Sequence, residues 1–122
     1  MENKARALKK LRALVKSKLA HAKDERACLK ILYSMPVSIH EKELRNAAVK
    51  RMLSVNTFSA CKCACVVAKP DSALAISALS GMLANAKTTE EFEIVARLAE
   101  GPTSNFIRVE AEHRAYELRG SL

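Results

Sequence analysis

At 122 residues, 49% apolar and 28% charged, the chain is long enough for one buried core and too short for two comfortable ones, which excludes a mainly disordered chain. Only three Gly and three Pro interrupt it, while Ala, Leu, Lys, Arg and Glu dominate, so helices joined by short connections are expected. The formal net charge of +8 points to partners of opposite sign.

The chain opens with "MENKARALKKLRALVKSKLAHAK", a basic amphipathic stretch without the apolar run or cleavage site of a secretory signal. It resembles a mitochondrial presequence in composition but is read here as part of the folded protein, a helix over 3–22. On a helical wheel Arg6, Lys9, Lys10, Arg12 and Lys16 occupy the arc opposite Leu8, Leu11, Val15 and Leu19, a basic face backed by a core stripe. A second helix, 24–34, stops at Met35-Pro36, because proline cannot continue it. Ser38-Ile39-His40-Glu41 then fits a capping box that opens a helix over 39–54. Lys42, Arg45 and Lys50 lie off the apolar stripe of that helix and extend the basic face.

After a stop near Asn56, a helix over 57–68 carries "SACKCACVVAKP", with three of the four cysteines within five positions. On a helix Cys61 and Cys65 share a face and Cys63 points away; on a strand all three would align. A thiolate metal site would need Cys28, His21, His40 or His113 to converge on them. The simpler reading is that they are small soft core residues beside Ala60, Ala64 and Ala68, buried and unmetallated. A Cys-cluster metal or thiol protein is therefore an alternative to the main reading, and no cofactor is expected. Lys62 would lower a neighbouring thiol pKa. Cysteines two apart pair poorly as disulfides, which favours a reducing, cytoplasmic setting.

Pro70 separates this helix from 72–86, for which Asp71 is an N-cap candidate. Residues 72–86 contain no charge, so this helix should be surrounded by others; the run is too short and too Ser-rich to span a bilayer. Thr88-Thr89-Glu90-Glu91 is a second capping box, opening a helix over 89–100 whose Glu90, Glu91 and Glu93 suit its N-terminus. Gly101-Pro102 ends it. In the last helix, 104–119, Phe106, Val109, His113 and Tyr116 form one stripe, and Ile107, Ala111, Ala115 and Leu118 a second. Two stripes mean packing on two sides, within the chain or against a partner or second copy, with His113 read as a hydrogen-bonded core histidine.

"LAHAKDERACLKILYSMP" (19–36) resembles "LANAKTTEEFEIVARLAEGP" (83–102). Either a three-helix unit recurs, over 1–54 and 71–119, or Ala-rich helices have converged. The predicted fold is all-α: one domain over 1–122, a bundle or short superhelix of about seven helices, HEAT-like if the unit is duplicated.

No Ser/His/Asp order, HExxH motif or Gly-rich phosphate loop occurs, so no enzyme is expected. Charge is unevenly spread: residues 1–70 contain 16 Lys/Arg against 5 Asp/Glu, and residues 71–122 contain 5 against 8. The expected function is that of a non-enzymatic interaction or regulatory protein whose basic N-terminal face takes an acidic protein partner. Nucleic acid is the alternative for the same face, disfavoured by the five aromatic residues in all and the lack of a helix-turn-helix glycine turn. A membrane surface ranks below both, since the N-terminal apolar stripe lacks Trp and Phe.

Overall fold

The computed structural model describes residues 2–34, 42–68 and 72–120, and among them it contains helices and no strand. They are α1 (Glu2–Ala20), α2 (Glu25–Ser34), α3 (Lys42–Val55), α4 (Phe58–Val67), α5 (Ala73–Asn85), α6 (Thr89–Leu98) and α7 (Asn105–Gly120). A short 3-10 turn, Pro102–Ser104, leads into α7. All seven fall within a few residues of the ranges expected from periodicity and stop signals.

Side-chain caps explain where several helices begin. The Asp24 carboxylate accepts from the Ala27 amide at 2.9 Å, Thr57 from Ala60 and Ser72 from Ala75, each satisfying an amide that lacks a helical partner. The capping box at α6 is complete: Thr88 Oγ1 accepts from the Glu91 amide at 3.1 Å, and Glu91 Oε1 accepts from the Thr88 amide at 3.2 Å. Ser72 rather than Asp71 is the N-cap of α5. Asp71 itself lies outside the described residues, as do the Ser38 to Glu41 box and the stops at Met35-Pro36 and Lys69-Pro70.

Two left-handed residues turn the chain. Asn56, at φ 56°, links α3 to α4, and the Asn85 amide on α5 donates to its side-chain oxygen at 2.9 Å and to the Gly81 carbonyl at 2.8 Å. Gly101, at φ 99°, reverses the chain before Pro102, where a side chain would strain the backbone.

Every substantial helix contact among the described residues joins elements one or two places apart in the chain, α1 with α2 and α3, and so on to α5 and α6 with α7. This is the neighbour-on-neighbour packing of a short superhelical bundle. Two apolar clusters form its core. The first is built from Val15, Leu19, Cys28, Leu32, Leu44, Val49 and Met52, and the second from Leu79, Met82, Val95, Ile107 and Ala111, with Leu53 and Cys65 touching both. A fully buried Leu, Met or Val in either cluster stabilises by about 1.5–3 kcal/mol. The literal "LAxAK" runs fall at equivalent places, closing α1 and α5 ahead of the following helix.

Two expectations about burial need correction. The apolar stripe of α1 is used only in its second half: Val15 and Leu19 are buried, but Leu8 is 46% exposed because residues 3–10 all lie on the surface, ahead of the part that packs. Helix α5 is not enclosed on every side. Ala73, Ser77, Ser80 and Ala84 line an exposed stripe, and such small side chains carry little apolar surface to hide.

Candidate functional site

The basic face lies where α1 crosses α3. Lys9, Arg12 and Lys16 line an open cleft of about 440 Å³ together with Ala5, Ala13 and Glu43. Helix α1 supplies the cations in register because positions 9, 12/13 and 16 follow one another up one side of the helix. Lys16 Nζ donates to Glu43 Oε1 and ties α1 to α3. That hydrogen bond, followed by the charge of Lys16 and more weakly of Arg12, holds the Glu43 carboxyl below the ordinary glutamate range. Lys16 is thus partly neutralised, and the free positive charge of the face rests more on the exposed Arg6, Lys9, Lys10 and Lys42. No aromatic side chain lines the cleft.

Not every basic residue expected on this face is there. Arg45 is only 8% exposed, and its Nε is buried with no hydrogen-bond partner among the described residues. It sits between Leu44 and the buried Ala48 and Val49 on the packing side of α3, so it contributes bulk to the core margin rather than surface charge. Arg12 is half-buried, at the edge of the α1 packing face. Lys50 is exposed as expected.

The clustered thiols divide as the helical wheel expects: Cys61 and Cys65 both pack against the second core on the α5 side of α4, and Cys63 points away toward α2. Cys61 is buried in the second core, where the α4 and α5 backbones approach so closely that a Cβ on Gly81 would sit 2.6 Å from its sulfur. Cys63 is half-buried and faces the α2/α4 groove, while half-buried Cys65 lines the groove between α4 and α5. Among the described residues no three His, Cys, Asp or Glu side chains gather in a group that could hold a metal ion. Desolvation raises the pKa of all four thiols. At Cys63 the charge of Lys62 does pull the other way, but burial, reinforced by Glu25, outweighs it.

The second candidate surface is α7. Ile107, Ala111 and Ala115 pack inward, and Phe106, Val109, His113 and Tyr116 form an outward stripe, with Tyr116 75% exposed. His113 is not a core residue: its Nε2 lies 2.7 Å from Glu117 Oε1 in an exposed pair one helical turn apart. His113 faces outward because the inward stripe already fills the contact with α5 and α6, and among the described residues no other helix packs substantially on the second stripe. A third feature escapes sequence reasoning. Exposed Tyr33 and Val66 edge a groove of about 250 Å³ between α2 and α4, floored by Leu29 and Val67 and flanked by Lys62. The Leu29/Tyr33 spacing of four was its only signal in the chain, because the groove arises between helices.

No described helix is long and apolar enough to cross a membrane. Comparison with protein-family models, with curated proteins and with solved structures returns no match for this chain.

Proposed function

We propose that this chain is a non-enzymatic interaction protein that takes an acidic protein partner on the α1/α3 face. The observation that carries this reading is the clustering of Lys9, Arg12 and Lys16 in one open cleft, with exposed Arg6 and Lys10 beside it on α1 and Glu43 the single carboxylate in the lining. A surface with this excess of cations raises the local concentration of an anionic partner and speeds encounter. The cleft offers small apolar contacts at Ala5 and Ala13 and no aromatic platform, which suits carboxylate side chains on a polypeptide better than stacked bases.

The test uses exposed cations only. Arg12 and Lys16 are unsuitable, since one is half-buried and the other bonds Glu43, so reversal there would loosen α1 from α3. Reversing Arg6, Lys9 and Lys10 to Glu takes the formal net charge from +8 to +2 at positions that touch no core. The helical circular-dichroism spectrum should be unchanged, and capture of acidic proteins from a nuclease-treated lysate should be lost. If nuclease treatment alone abolishes capture, the face is a nucleic-acid surface. If the reversal changes no interaction, the face is a solvated surface and the reading fails.

A further inference from the structure

Among the described residues the two terminal helices of the bundle each keep an exposed face, and the two faces are chemically opposite. Among the described residues the substantial contacts of α1 are with α2 and α3, and those of α7 are with α5, α6 and the turn before it, so each terminal helix keeps a face on which no described helix packs substantially. Terminal elements of such stacks ordinarily present polar outer faces. Here both carry large exposed apolar side chains among the polar ones. On α1, Leu8 and Leu14 are 46% and 51% exposed, and half-buried Leu11 lies between them. On α7, Phe106, Val109 and Tyr116 are all exposed.

Their margins differ in sign. The leucine edge of α1 is bordered by exposed Lys4, Lys10 and Lys18, and residues 3–20 contain no carboxylate at all. The α7 stripe is bordered by Glu112 on one flank and by Glu110 and Glu117 on the other, at about 100° of rotation per residue. The arginines of α7 lie farther round. Arg114 is drawn over the Phe92 ring of α6, 6.0 Å from its centroid, and Arg119 pairs with Glu93 of α6. Glu110 pairs with Arg114 and Glu117 with His113, but these are exposed pairs that exchange readily for new partners.

We propose that the α7 stripe of one copy seats on the Leu8–Leu11–Leu14 edge of α1 of the next, so that copies of this chain associate head to tail. The pairing covers both apolar faces and sets glutamates against lysines along the whole contact. Two-fold pairing is opposed by charge. Two α7 helices run antiparallel would bring Glu112 against its own counterpart, and two α1 helices would bring lysines together. The contact is therefore heterologous, and it grows into a filament or closes into a ring according to the rotation between copies. It rests on a different side of α1 from the Lys9/Lys16 cleft and goes beyond the acidic-partner reading.

Sedimentation velocity on the full chain tests it at concentrations up to about 1 mM, the range in which a weak interface of two helices registers. The unmodified protein should form species larger than a dimer at low salt, and these should shrink as salt rises. One variant carries Leu8→Glu and Leu14→Glu; the other carries Val109→Lys and Tyr116→Lys. All four positions are exposed, so both variants should keep the circular-dichroism melt of the parent, and the single substitutions Leu14→Glu and Val109→Lys serve if either melt falls. Each variant alone should be monomeric, because each has lost one of the two surfaces. An equimolar mixture should form a heterodimer that grows no further, since one intact surface of each kind remains. A parent that stays monomeric at every concentration overturns the proposal, as does an α1 variant that still dimerises alone or a mixture that stays monomeric. The cleft residues Lys9, Arg12 and Lys16 are untouched in every arm, so this failure leaves the acidic-partner reading standing.

Discussion

Substituting Gly81 by Ala probes the close contact of α5 with Cys61 of α4. An alanine in mid-helix gains about 1 kcal/mol over glycine from backbone propensity alone. At this position its Cβ would sit 2.6 Å from Cys61 Sγ, nearly an ångström inside ordinary contact. Cys61 is buried, and one of its three side-chain rotamers is closed by the preceding turn of α4, so the sulfur has little room to swing. Overpacking of this kind costs about 1–3 kcal/mol, and Gly81→Ala should come out destabilised by up to about 2 kcal/mol. Cys61→Ala alone removes a buried sulfur and should cost about 1 kcal/mol. In the double variant the new methyl occupies the space the sulfur left, and the propensity gain survives. Its stability should equal or exceed that of the parent, giving a favourable coupling of about 2 kcal/mol in a double-mutant cycle. Urea unfolding followed by circular dichroism at 222 nm, a wavelength set by the helical signal, measures all four proteins. Additive effects would refute the reasoning, as would a Gly81→Ala protein stabilised by the full propensity gain, which would mean the thiol rotates away without cost.

Thr88→Ala removes the hydroxyl that caps α6 and should lower stability by about 1 kcal/mol, read as a fall in Tm. Arg45→Met should be neutral or stabilising in the same assay, because it removes a buried Nε that has no hydrogen bond among the described residues and keeps the bulk of the side chain. The Lys16–Glu43 contact should show in the pH dependence of stability. The folded-state pKa of Glu43 is depressed, so the stability difference between parent and Glu43→Gln is present above the ordinary glutamate range and disappears as pH falls through the depressed value. Thiol alkylation should reach half-buried Cys63 and Cys65 before Cys28 and Cys61, and at all four the rate should rise only above the ordinary cysteine range, since burial disfavours the thiolate. Equal rates at the four positions in the native protein would contradict this.

Helix existence was legible because it depends on local rules. Period, proline stops and the Thr88 to Glu91 box are all properties of consecutive residues, and the helices occur where these place them. The inward stripe of α7 was legible for the same reason. Asp24 and Thr57 act as caps without the glutamate that makes a capping box conspicuous, so α2 and α4 begin at signals that the chain shows only weakly.

What the chain alone determined is the all-helical architecture, the charge asymmetry between its halves and the presence of two apolar faces on the last helix. All three are sums over neighbours along one segment. Only the tertiary structure decided which faces meet. It buried Arg45 on the packing side of α3, turned His113 outward, set Cys63 in a groove between α2 and α4 and left Leu8 exposed near the start of α1. A side chain's burial depends on whether another element lies across from it, and that neighbour is fixed by the crossing and order of helices far apart in sequence. A helical wheel shows the face that is available for contact, and the arrangement of the bundle supplies or withholds the surface that covers it.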